Sequence, residues 1–262
     1  MKRILIVAVM VLFAVSCGQK ATSKALVLYY SETGTTKMVA EAIQQALGAD
    51  IEEIVVVDPY DPDFNATIAR GQKEMAEDNY PAIQSLASNL QDYDVIFLGY
   101  PVWFGTYANP IETLLRTEDF SGRKIVPFCT FGSGGLDTSS KAICEKLPDA
   151  EVLPGYGVRT ARIEAAPAEI DRFLKESGFL AGKYEKRAEF PAPHAVSEEE
   201  SAIFDAAVGT YPMIRAKAAE VAERAVSGGK EYLFTAQDRG GSIKVYVLAE
   251  DGKDPVFTQV LR

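Results

Sequence analysis

The chain has 262 residues, 47% of them hydrophobic, with 37 acidic against 27 basic side chains and a formal net charge of -10. That balance argues against nucleic acid as a partner and against adsorption on anionic lipid. A single histidine, His194, and the lack of a Cys-x-x-Cys pair offer no metal constellation and no redox dithiol.

Lys2 and Arg3 precede an apolar run from Ile4 to Val15. The run is shorter than the ~20 residues a membrane span needs, so Met1 to Ser16 (residues 1–16) reads as a secretory signal peptide. Ala14-Val15-Ser16-Cys17 resembles a bacterial lipobox, with Ala14 where leucine is usual. The resemblance implies lipidation of Cys17 and an exported lipoprotein anchored to a membrane, facing the periplasm. Losing two cations with the signal would take the charge from -10 to -12. The tether that follows the lipid (residues 17–24) carries only seven residues after Cys17, which reach at most roughly 25 Å.

Leu26 to Tyr30 is a β-favouring run, and Val39, Ile43 and Leu47 repeat at helical spacing. Between them the loop Ser31 to Thr36 holds Ser31, Glu32, Thr33, Gly34, Thr35 and Thr36, four of them hydroxylated. A helix start presents free N–H groups and the positive end of the dipole, so hydroxyls at that point suit a phosphate monoester. Serine and threonine are also ordinary helix caps; their density here favours the phosphate. The patterns GxxxxGK[ST] and GxGxxG are missing, which counts against nucleoside triphosphates and dinucleotides.

Ile51 to Val57 reads as a second strand and Phe64 to Glu77 as a helix. Val95 to Gly99 is a continuous apolar run, as in a strand buried on both faces. It leads into Pro101, Val102, Trp103, Phe104 and Gly105, a loop holding the only tryptophan, expected to expose a ring that could stack on a flat conjugated ligand. Asn109-Pro110 open a third helix. Lys124 to Cys129 reads as a fourth strand, followed by Thr130, Phe131, Gly132, Ser133, Gly134 and Gly135, where glycines let backbone donors approach a ligand. Glu151 to Val158 and a helix over Pro167 to Ser177 complete the unit. Cys129, on a strand, and Cys144, on the next helix, are expected to be buried free thiols.

The pattern aromatic-x-Ser-x-x-Gly-x-Thr-x-x-x-Ala, from Tyr29 through Ser31, Gly34 and Thr36 to Ala40, resembles the flavodoxin signature at every fixed position. Pro101 to Gly105 resembles the Pro-x-Trp-Trp-Gly loop of a flavodoxin-like subgroup, with Phe104 at the second tryptophan. The resemblance implies an α/β fold over residues 25–182: a flavodoxin-like doubly wound five-stranded parallel sheet of order 2-1-3-4-5, in the short-chain form. It implies FMN as cofactor, its phosphate in the first loop, with the second and third loops beside the isoalloxazine. Lys37 could add attraction for the phosphate.

Residues 183–197, with Pro191 and Pro193, read as a linker. Residues 198–262 read as a small α+β domain: a helix from Glu198, capped by Ser197, then an antiparallel meander. Ala225 to Tyr232 is similar to the Gln-Val-Val-Ala-Gly-x-Asn-Tyr hairpin of cystatins, but Ala225 and Ser227 replace residues that enter a protease cleft. A cystatin-like fold without protease inhibition is the expectation. The function expected for the whole is electron transfer by a membrane-anchored flavoprotein, exchanging with a partner protein or a small acceptor. The alternatives are an FMN-dependent NAD(P)H:quinone-type reductase and a binding module acting through the C-terminal domain.

Overall fold

The computed structural model describes residues 24–209 and 211–262; the expected signal segment and Cys17 lie outside the described residues. The first unit is a sheet built from β1 (Ala25–Tyr29), β2 (Asp50–Glu53), β3 (Val95–Trp103), β4 (Thr106–Tyr107), β5 (Lys124–Phe131), β6 (Glu151–Val152) and β7 (Tyr156–Arg159). Its order is β2-β1-β3-β5-β6, all parallel, with β7 beside the later part of β5 and β4 folded back antiparallel on β3. The expected order 2-1-3-4-5 is therefore present, with the fifth strand broken between Val152 and Tyr156.

The helices are α1 (Thr35–Leu47), α2 (Phe64–Ala76), α3 (Asn109–Thr117), α4 (Leu136–Lys146) and α5 (Ala166–Glu176). Period-two alternation sorts the strand residues onto two faces. Leu26, Leu28, Ile96, Leu98 and Ile125 meet Ile111 and Leu114 of α3 and Ile143 of α4. Val27, Phe97, Val126 and Phe128 meet Val39 and Ile43 of α1 and Ile170 and Leu174 of α5. Each fully buried side chain of this kind contributes about 1.5–3 kcal/mol, and the paired layers fix which strand ends share one edge.

The second expected strand is shorter than its apolar run. β2 stays with β1 only while β1 lasts; one more bond, Ile54 N–H to the Tyr29 carbonyl at 2.7 Å, ends the pairing. Val56 then bridges Ile83 antiparallel, and Val55 and Val57 point outward. The chain around Ile83 forms no helix, because its backbone is held by that bridge and by the bond from Gln84 N–H to the Val55 carbonyl at 2.8 Å. Cys129 is buried, whereas Cys144 is exposed on the outer face of α4, so only one of the two thiols is shielded as expected.

The second unit comprises β8 (His194–Ala195), α6 (Glu198–Gly209), β9 (Lys217–Val226), β10 (Gly229–Asp238), β11 (Gly241–Glu250) and β12 (Val256–Leu261). Its five strands run in the order β12-β11-β10-β9-β8, every pair antiparallel. β8 lies inside the expected linker and is recruited onto β9. Ser197 and Glu200 form a reciprocal cap: Ser197 N–H donates to the Glu200 carboxylate at 2.9 Å, and Glu200 N–H to Ser197 Oγ at 3.3 Å. Phe204 of α6 packs on Phe234, Val245 and Phe257 in a separate core. No helix of the described residues is long and apolar enough to cross a membrane.

Gly99, at the centre of β3, lies under the Phe128 ring, and a Cβ there would collide with it. Gly99→Ala is expected to destabilise the first unit by about 1–3 kcal/mol through overpacking. An unchanged urea midpoint would contradict this packing.

Candidate functional site

The carboxyl ends of β1, β3 and β5 are adjacent, so the loops that follow them meet at one edge. The first loop leaves β1 at Tyr30 and enters α1 through Gly34 at φ 86°, a left-handed conformation that spares glycine the Cβ clash other residues meet. An α-helix starts with four N–H groups that have no intrahelical partner. Here Lys37 N–H donates to Ser31 Oγ at 3.2 Å and Met38 N–H to the Gly34 carbonyl at 3.1 Å. Among the described residues no acceptor faces the N–H groups of Thr35 and Thr36. The hydroxyls of Thr33 and Thr35 lie 3.3 Å apart at the exposed mouth.

Two residues of this loop have other partners. Thr36 is buried, and its Oγ lies 2.8 Å from Thr130 Oγ at the end of β5, joining the first loop to the third. Glu32 turns back to accept a hydrogen bond from the Tyr30 hydroxyl. Burial, reinforced by that carboxylate, pushes the Tyr30 phenol well above its ordinary pKa, so it stays a donor. Lys37 Nζ lies 3.9 Å from Glu53 and is half-exposed, a solvated surface pair.

The second loop is a tight hairpin. β3 continues through Trp103, which pairs with Thr106 of β4, and Phe104 and Gly105 turn the chain at φ 52° and 86°. A left-handed conformation in a bulky residue costs of order 1–3 kcal/mol and presents the Phe104 ring outward, 42% exposed. The expectation that Trp103 would be the exposed ring is corrected. Its indole is only partly accessible and lies edge-on between Tyr30 and Tyr60, with centroids 5.9 and 4.9 Å away. Tyr60 is itself fixed, donating to Glu74 at 2.6 Å under the Arg70 guanidinium. Pro101, Val102, Trp103 and Phe104 border an apolar cavity of about 480 Å³ shared with Thr33 and Phe64.

In the third loop Thr130 and Phe131 are buried as the last residues of β5, and the exposed part is Gly132 to Gly135. The N–H groups of Ser133, Gly134 and Gly135 meet no acceptor among the described residues. Val102 lies against Gly135, bringing the second and third loops together. Between them opens a cavity of about 340 Å³ lined by Val102, Gly105, Gly132 to Gly135, Asp137 and Thr138 from this unit. Its remaining wall comes from the second unit: Tyr211, Val260, Leu261 and Arg262.

The sequence of the three loops does not reveal those four residues, nor Phe64 at the start of α2. Phe64 had one visible signal, a large apolar side chain just after the Asp63 cap, where it is 74% exposed. For Tyr211 and Val260 no local signal exists, because their role depends on contacts distant in sequence.

The residues fit a phosphate monoester carrying a flat ring. Thr35 and Thr36 N–H groups stand ready for the anion, and a cavity within the ordinary size range of ligand pockets reaches the same loop at Thr33. The sequence model of the flavodoxin family matches residues 24–171.

The chain belongs to the flavodoxin family. Flavodoxin 1 of Salmonella typhimurium is 27% identical over 125 residues, covering 46% of this chain and 55% of its own length. The chain thus spans about half the length of the curated relatives it matches. A Bacteroides uniformis protein assigned to the flavoproteins superposes with a TM-score of 0.51 at 29% identity, covering 57% of this chain and 98% of the other. A flavoprotein of Lactobacillus acidophilus solved in complex with FMN gives a TM-score of 0.49 at 26% identity, covering 58% and 99%. The matched flavodoxin region ends before β8, leaving the second unit outside it.

The buried pair Thr36–Thr130 supplies a check on this geometry. Thr36→Val or Thr130→Val leaves the other hydroxyl unpaired and is expected to cost about 1–3 kcal/mol. The double variant should lose less than the sum of the two. Urea unfolding measures all three, and strictly additive losses would show that the hydroxyls do not share a bond.

Proposed function

We propose that the protein is an FMN-carrying electron-transfer flavodoxin held at a membrane by a lipid on Cys17. The observation that carries the cofactor is the convergence of three loops on one sheet edge, with two free N–H groups at the start of α1. The backbone N–H groups of Thr35 and Thr36, with the hydroxyls of Thr33 and Thr35, would hold the phosphate without a cation. FMN, when bound, supplies the electron exchange, and the protein supplies binding, orientation and electrostatics. The Ser133, Gly134 and Gly135 N–H groups would donate to the ring edge and favour negative charge there. Val102 and the closed hairpin at Phe104 would exclude water from the ring. No side chain need act as acid, base or nucleophile.

Anchoring rests on the lipobox resemblance and on geometry. β1 begins eight residues after Cys17, so the first unit would sit within roughly 25 Å of the lipid. The second unit reads as a cystatin-like module, since its strand–helix–meander order suits that expectation.

The soluble fragment from Gly18, purified after addition of FMN, is expected to show the visible bands of bound oxidised flavin with quenched fluorescence. A colourless protein that ignores FMN would overturn the cofactor and leave the binding-module reading. In cells, Cys17→Ser is expected to move the protein from the membrane fraction to the soluble fraction and to abolish labelling by a fatty-acid probe. Retention at the membrane without label would overturn the lipid anchor.

A further inference from the structure

β12 docks directly on the third loop. Val260 N–H donates to the Ser133 carbonyl at 2.7 Å, a backbone bond between strand and loop more than a hundred residues apart. Gly134 lies under that strand so closely that a Cβ would strike the Val260 carbonyl, and a Cβ on Gly132 would lie 2.8 Å from the Tyr211 hydroxyl. These glycines accommodate the second unit as well as a ligand.

Beneath the contact lies Arg159, the last residue of β7, only 7% exposed. Its Nε donates to the Gly132 carbonyl at 2.9 Å and its Nη1 to the Phe257 carbonyl on β12 at 2.8 Å. Its guanidinium covers the Phe257 ring at 3.4 Å from the centroid. Among the described residues no carboxylate pairs with it. Burial draws its pKa down to about 10, which leaves it charged at neutral pH. A buried guanidinium without an anion is costly to retain unless its donors are satisfied. The two carbonyls that accept from it belong to the third loop and to β12.

We propose that the second unit is a resident cap of the flavin pocket, with Tyr211 contacting the ring and Arg159 positioning the cap. The cavity of about 340 Å³ is walled on one side by the third loop and on the other by Tyr211 and Val260, so a ligand filling it touches both units. Binding and docking are then one linked equilibrium: FMN tightens the cap, and the cap tightens FMN by the same factor. This rests on the FMN reading above.

The test uses the chain from Gly18 to its last residue, titrated with FMN by fluorescence, and amide hydrogen exchange at β12. Wild type should bind FMN and show slower exchange over Val256–Leu261 when loaded. Tyr211→Phe keeps the packing and should shift the visible band of bound flavin. Arg159→Met should weaken FMN about tenfold, the scale of a lost charged hydrogen bond, and remove FMN's effect on β12 exchange while leaving the exchange of Thr35 and Thr36 protected by FMN. Lys230→Met, at an exposed lysine of β10 that pairs with Glu223, should leave the affinity, the visible band and the exchange unchanged. The cap is overturned if wild type binds FMN yet β12 exchange is indifferent to it, or if Arg159→Met and Tyr211→Phe both behave as wild type. A wild-type chain that takes up no FMN overturns the flavin reading, and the cap with it.

Discussion

The open start of α1 is the constraint on which the site depends. A helix N-terminus needs acceptors for its first N–H groups, and this chain supplies one for Lys37, ahead of the first regular helix bond at Met38, but none for Thr35 and Thr36. Gly34, in a left-handed conformation, contributes a carbonyl and no side-chain cap. An ordinary Ser or Asp cap takes an extended backbone, which the left-handed Gly34 does not offer, so this position leaves the N–H groups open. The parallel sheet puts the other two loops beside this opening, and the Thr36–Thr130 bond holds the third loop in register with the first. A solvent-exposed loop would need only sequence to bind a phosphate; a loop that must also align a ring needs that buried bond.

Charge acts on two length scales around this edge. The chain's net charge of -10 disfavours further negative charge anywhere on it, and by itself it would lower the potential of a bound flavin. Exposed charges are screened beyond a Debye length of about 10 Å at 0.1 M salt, whereas a buried charge is screened much less. Arg159 is such a charge, lying directly behind Gly132. It opposes the surface locally, so composition alone misjudges the electrostatics of the pocket. Its own pKa is lowered chiefly by burial, which outweighs an opposing pull from Tyr211, and this marks a cation held by carbonyls and an aromatic face instead of a carboxylate.

The strands and helices of the first unit were readable because each carries its own period. VIFLG could only be a buried strand, and Val39 and Ile43 could only share one helix face. The boundaries failed where pairing, not propensity, decides. Ile51 to Val57 is β-favouring throughout, yet β2 stops at Glu53 because β1 has run out. β8 forms in a proline-flanked stretch because β9 offers it an edge. In the site, residue types were readable and directions were not. Trp103 and Phe104 are neighbours with similar chemistry, and only the left-handed turn at Phe104 decides which ring is presented outward. Thr36 had the right type for a phosphate ligand, but its hydroxyl is committed to Thr130, a partner 94 residues away.

The glycines of the third loop show how far such ambiguity extends. In sequence, Gly132, Gly134 and Gly135 look alike, each allowing something to approach the backbone. In the structure the approaching groups differ: the Tyr211 hydroxyl, the Val260 carbonyl and the Val102 methyls. Two of the three belong to the second unit. A glycine-rich loop at a strand's carboxyl end therefore indicates close approach without indicating by what. Here a ligand and a covering strand compete for the same backbone only if they use the same groups, and they do not. β12 takes the Ser133 carbonyl, and the N–H groups of Ser133, Gly134 and Gly135, residues that line the cavity, have no acceptor among the described residues. That division of acceptors from donors lets one four-residue turn hold a protein strand on one side while leaving a donor-lined slot on the other.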